Sequence, residues 1–144
     1  MSSVKTIRLN IVSAERQIFS GDARMVFVSG ELGELGIAPG HSQLLTTLIP
    51  GYVRAILPTE QEEVFYISSG MLEVQPHTVS VLADTAMRAE EIDEAAAVAA
   101  KEHAEKALAG KTTGMDINRA TIELAEFAAQ LRAIQQLKRR AGAK

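Results

Sequence analysis

Apolar and polar positions alternate in short runs through the first part of the chain, then change period near residue 88. In KTIRLNIV, at 5–12, Ile7, Leu9 and Ile11 alternate with Arg8 and Asn10, which turns one face to a core and the other to water. ARMVFVS, GYVRAIL, EEVFYISS, MLEVQ and TVSVLAD follow as short segments that together are rich in Val, Ile, Phe and Tyr. Breaks at Ser20-Gly21, Pro50-Gly51, Ser69-Gly70 and Pro76-His77 divide them. The pattern predicts an all-β sandwich or barrel over residues 1–87.

Residues 88–144 hold 16 of the 22 alanines and contain no proline or serine, a composition suited to helix. AGKTTG at 109–114 splits this part into two helices, with Gly110 ending the first and Thr112 or Thr113 near the start of the second. An antiparallel hairpin follows. On the second helix Ile117, Ala120, Leu124, Phe127, Leu131 and Ile134 form one apolar stripe. The matching stripe of the first is Ile92, Ala96, Ala99, His103 and Ala107, which buries little area. Each alanine in place of a leucine forgoes about 2 kcal/mol of burial, so the hairpin is expected to be marginally held. Both a permanently docked tail and a detachable one fit the sequence, with any hinge near TAMRAEEID.

Between the strand segments lies GELGELGIAPGHS, at 30–42. Its glycines supply positive φ and remove side chains where backbones approach, which predicts a series of tight turns. Glu34 and His41 stand among residues that cannot cover them, as on a loop that presents a docking surface.

Composition narrows the chemistry. A net charge of -3, two tyrosines and no tryptophan argue against nucleic-acid binding. No cysteine is present, so disulfides and thiolate sites are excluded. No uncharged apolar run reaches membrane-spanning length, and MSSVKTIRLN lacks the pattern of a signal peptide. His41, His77 and His103 show no metal-binding spacing, and no GxSxG elbow occurs. GKTTG at 110–114 fails as a phosphate loop, because Glu105 stands where the first glycine is required. Catalytic residues, metals and cofactors are therefore expected to be none.

IVSAERQIFSG at 11–21, GELGIAPGHSQLLT at 33–46, Pro50-Gly51, YISSGMLEVQP at 66–76 and VLADTAMRAEEID at 81–93 occur in this order ahead of an alanine-rich hairpin. In this combination the chain resembles, from end to end, the epsilon subunits of bacterial F-type ATP synthases, the delta subunits of mitochondria. The resemblance implies an α+β fold in two segments: an N-terminal β-sandwich of about ten strands at 1–87 and a C-terminal two-helix hairpin at 88–144. It implies a non-catalytic rotor subunit of the central stalk, at the cytoplasmic face of the bacterial inner membrane and membrane-associated only through its complex.

The implied partners are the gamma subunit and the polar loops of the c-ring, met by the sandwich, and the beta and alpha subunits, met by the helices in restraining ATP hydrolysis. Glu34, Gly36, Pro39 and His41 carry over as docking residues, with Gly33 and Gly40 shaping the loop. Arg132, Lys138, Arg139 and Arg140 carry over as cations facing acidic segments of beta. A nucleotide-binding pattern of some members, Ile/Leu-Asp-x-x-Arg-Ala, reads IDEAAA in its first copy, with Ala96 and Ala97 in place of Arg-Ala. The second copy, MDINRA, keeps Asp116 and Arg119, which read equally as a first-turn acid and a surface residue. The two stand as a candidate weak nucleotide-binding pair, and tight ATP binding is not expected. Two other readings compete: a free-standing sandwich adaptor whose hairpin binds a protein or nucleic acid, and a small hydrolase pairing His41 with Glu34.

Overall fold

Residues 5–30, 33–110 and 114–142 are described in the computed structural model, the side chains of 114–116 and 140–142 excepted. Ten strands precede two helices: β1 (Ile7–Ser13), β2 (Gln17–Ala23), β3 (Met25–Gly30), β4 (Gly33–Ile37), β5 (Leu44–Leu48), β6 (Gly51–Ile56), β7 (Glu62–Ile67), β8 (Gly70–Gln75), β9 (Thr78–Ala83) and β10 (Ala86–Arg88). The first sheet runs β2-β1-β9-β8-β5, with β1 and β9 parallel, and the second runs β10-β7-β6-β3-β4. The alternative of a barrel is thereby excluded. Alternation does the work: Ile7, Leu9 and Ile11 enter the core with Val79, Val81, Leu72 and Val74, opposite Val26, Val28, Val53, Phe65 and Ile67 of the other sheet.

Ser20-Gly21, expected as a break, lies inside β2, where Gly21 pairs with Leu9. A Cβ there would meet the Phe19 ring at 3.1 Å, so the glycine serves the aromatic packing and no turn is made. GELGELGIAPGHS, expected as turns alone, contains strand β4. The Ser69-Gly70 break is a true corner at which the chain changes sheets. Ser69 donates to Asp84 at 3.0 Å, the Thr85 N–H donates to Ser68 Oγ at 2.8 Å, and a Cβ on Gly70 would fall 1.9 Å from the Leu82 carbonyl oxygen.

Helix α1 (Glu94–Ala109) begins at Asp93, whose carboxylate accepts from the Ala96 N–H at 3.1 Å, and is capped at its end by Gly110. Helix α2 spans Gly114–Gly142, and Thr112 and Thr113 lie outside the described residues. On α1 the buried positions are Ala97 and Ala104, whereas Ala96, Ala99 and His103 are exposed, so the expected stripe was turned by one residue. On α2 Ala120 and Ile134 are buried as expected, but Ile117 is exposed and Ala129 and Ala133 are fully buried. A single stripe could not anticipate this, because α2 packs on α1 and on the second sheet with different faces.

The seat of α2 is built on β7. Phe65 and Ile67 point into the sandwich, while Val64 and Tyr66 point out and are covered by Ala129 and Ala133, with Ala89 beside them. Tyr52, Met87, Ile92 and Leu137 close the margin. TAMRAEEID, where any hinge was expected, runs through β10 and a 3₁₀ turn at Ala89–Glu91, with Ala89 inside this cluster. Burial chiefly, and the nearby Glu126 charge, push the Tyr66 hydroxyl up to about 12, against a lowering hydrogen bond with Gln130.

Burial also raises the Glu126 carboxyl, and the charges of Glu123 and Asp84 add to the effect. A carboxyl raised on folding disfavours its charged form, so its contribution to stability declines as pH climbs from the ordinary carboxylate range through the raised value. Glu126→Gln should therefore stabilise the chain at neutral pH by well under about 1 kcal/mol, the side chain being partly solvated, and change little near pH 4. Urea unfolding at the two pH values checks the sign, and a net loss at neutral pH would contradict it.

Candidate functional site

Two surfaces of the sandwich stand out once the sheets are placed. One is the outer face of the second sheet beside α2. Glu34 of β4 pairs with Ser29 of β3, and Tyr52 of β6 pairs with Tyr66 of β7, so these four residues run in one row across the sheet. Ser29 Oγ accepts from the Tyr52 N–H at 2.7 Å and donates to the Tyr52 carbonyl at 3.2 Å, in space that any side chain on Gly51 would close. Glu34 accepts from the Tyr52 hydroxyl at 2.8 Å and from Arg54 at 3.3 Å. Arg54 also donates to Glu62 at 2.8 Å and lies 4.2 Å above the Phe27 ring. Burial raises the Tyr52 hydroxyl first, and the hydrogen bond and charge of Glu34 add to it.

Glu34, read from sequence as uncovered, is thus engaged within its own chain. Gly36 adopts no positive φ; it sits in the β3–β4 ladder opposite Phe27, where a Cβ would meet Met25 at 3.1 Å and Phe27 at 3.3 Å. Its missing side chain makes room for the ring beneath Arg54. Positive φ falls instead at Gly33 and Gly40, at +128° and +86°. Pro39 and His41 belong to a turn in which the His41 N–H donates to the Ala38 carbonyl, and Gly40 is tied to the Pro76 carbonyl at 2.9 Å. This turn and Glu34 lie at opposite ends of β4, about 13 Å apart at the usual rise per residue. They do not form a pair, which removes the hydrolase reading. Among the described residues no group of three or more His, Cys, Asp or Glu side chains could hold a metal ion.

The second surface is the outer face of the first sheet. Leu45, Leu82 and Met71 are 64%, 52% and 36% exposed, and Met71 stands directly opposite Leu82, which in turn stands opposite Val12. Ile49 extends this patch beyond β5. Sequence reading missed these residues, although a signal exists: Met71 and Leu82 are apolar out of phase with the inward Leu72, Val74, Val79 and Val81. A cleft of about 380 Å³ between β4 and β5, lined by Leu35, Leu44, Leu48 and Leu72, also reaches Gly33 and Glu34.

Two cations of α2 are engaged within the chain. Arg132 donates to the Pro50 carbonyl at 3.2 Å, and Lys138 pairs with Glu94 at 2.9 Å. Arg139 is exposed, and the side chains of Arg140 and Asp116 lie outside the described residues. Arg119 is 82% exposed and pairs with Glu123 one turn on. No described helix is long and apolar enough to cross a membrane.

Comparison with known proteins follows the same division of the chain. The family model of the ATP synthase delta/epsilon chain β-sandwich domain matches residues 6–89, and that of the long α-helix domain matches 90–135. The ATP synthase epsilon chain of Nitrosococcus oceani is 56% identical over 137 residues, covering 95% of this chain and 98% of that one. That of Legionella pneumophila is 54% identical over 135 residues, covering 94% and 96%. Among solved structures, a chain of the Euglena gracilis mitochondrial ATP synthase is similar in fold, with a TM-score of 0.81 at 20% identity over 92% of this chain and 84% of its own. A chain of the Tetrahymena thermophila enzyme gives 0.65 at 13% identity over 92% and 99%. With both domain models matched in order and more than half of the residues shared with epsilon chains, this chain belongs to the ATP synthase delta/epsilon family.

Proposed function

We propose that the chain is a non-catalytic rotor subunit of a proton-translocating F-type ATP synthase, joining gamma to the c-ring in the central stalk. The observation that carries this is the apolar face of the first sheet. Leu45, Met71 and Leu82 crowd adjacent strands of a small sandwich whose other sheet is covered by its own helix, and such a patch calls for a protein partner. We assign it to gamma. The turn at Pro39 and His41, braced by Gly40 on the β8–β9 connection, is assigned to the polar loops of the ring, since a fixed turn loses little entropy on docking. Epsilon-chain relatives from bacteria support a place at the cytoplasmic face of the inner membrane.

The helices are assigned a regulatory role. In the docked state Arg132 and Lys138 are bonded to Pro50 and Glu94 of the same chain. Released, the same cations are free to meet acidic segments of beta and restrain ATP hydrolysis. Similarity to epsilon chains along nearly the whole length of the chain favours this over the adaptor reading.

Two outcomes test the proposal. Leu82→Asp, at an exposed position, should leave stability within about 0.5 kcal/mol while weakening co-purification with gamma tenfold or more. Undiminished recovery with gamma would remove this face from the interface. A chain ending at about Gly114, which lacks α2 but keeps the sandwich, should assemble normally and raise ATP hydrolysis several-fold; equal rates would refute the regulatory half.

A further inference from the structure

We propose that Glu34 is a positioning residue that couples the edge strand β4 to the seat of α2 through Tyr52, so that whatever engages Glu34 also acts on the helix. The row described above supplies the connection. Glu34 stands on the last strand of the second sheet, where one side is open to a partner. Its carboxylate holds the Tyr52 hydroxyl at 2.8 Å, and the Tyr52 ring packs on the cluster formed by Val64, Tyr66, Ala129 and Ala133.

Three features route the effect through Tyr52 specifically. Its N–H and carbonyl are both bonded to Ser29 Oγ, which fills the space left by the missing side chain of Gly51, so the backbone is held and the side chain responds. Arg54, the other partner of Glu34, keeps the shorter bond to Glu62 and its contact with Phe27, and stays in place when Glu34 is withdrawn. On the helix side, Leu137 packs on the same margin as Tyr52, and the charge of Arg139 is close enough to influence the Tyr52 hydroxyl. A hydroxyl deprived of its acceptor leaves the ring free to change rotamer, and the margin of the seat loosens by about the net worth of one hydrogen bond. That corresponds to an opening of α2 roughly two- to tenfold more frequent.

The coupling lies within the chain and is tested there, with no partner present, so its failure is distinct from failure of the gamma assignment. Hydrogen exchange is measured on full-length protein for Glu34→Ala, Glu34→Gln, Tyr52→Phe and the double variant Glu34→Ala/Tyr52→Phe. In Glu34→Ala and Tyr52→Phe, amides of α2 from Ala129 to Leu137 should exchange about two- to tenfold faster, with β1 and β9 unchanged. The double variant should be no faster than the faster single one, and Glu34→Gln, which keeps an acceptor oxygen, should stay closer to the parent. Unchanged α2 exchange in Glu34→Ala or Tyr52→Phe, multiplied effects in the double variant, or equal acceleration in β1 and β9 would each overturn the proposal.

Discussion

Strand β7 has no solvent side over Val64, Phe65, Tyr66 and Ile67, and the two segments of the chain meet there. Phe65 and Ile67 belong to the sandwich, whereas Val64 and Tyr66 belong to the helix contact. A strand with both faces occupied must satisfy both packings with one backbone register. The neighbouring corner holds that register: Ser68 and Ser69 are hydrogen-bonded to Asp84 and Thr85 as the chain passes between sheets, and Gly70 admits the Leu82 carbonyl. This joint ties the two sheets to each other and to the helix.

What lies against β7 is small. Ala129 and Ala133 let the backbone of α2 approach Tyr66 closely, but each contributes only a methyl group, and the larger buried side chains of the cluster, Val64 and Tyr66, belong to the sheet. The polar contacts around them, Arg132 to Pro50 and Lys138 to Glu94, are exposed and of the kind that adds little. A seat of this kind is well ordered and weakly held, which is the property the proposed regulatory role requires. The desolvated Glu126 opposes docking further.

The interior strands were legible in the sequence and the borders were not. β1, β3, β6, β7, β8 and β9 announce themselves by alternation or by a continuous apolar run, because each has neighbours on two sides. The four strands that residue patterns missed, β2, β4, β5 and β10, are the four sheet edges. An edge pairs on one side only and tolerates Ser20-Gly21 and the glycines of GELGI, so its composition resembles a loop. The family resemblance recovered the strand number that periodicity could not. The site was legible in part: Glu34 and His41 were found as polar residues on a glycine-rich segment, but their separation by β4 and the hold of Tyr52 on Glu34 arise from pairing between distant strands. The helix stripes failed by one residue on α1 because alanine-rich sequence offers several equivalent stripes.

A detachable hairpin depends on the alanine seat. Small-angle scattering of the full-length chain compares the parent with Ala133→Trp, in which an indole replaces a fully buried methyl group against Tyr66 and Val64. The variant should have a larger radius of gyration, with the thermal transition of the sandwich preserved. An unchanged radius of gyration in a folded Ala133→Trp chain would contradict it.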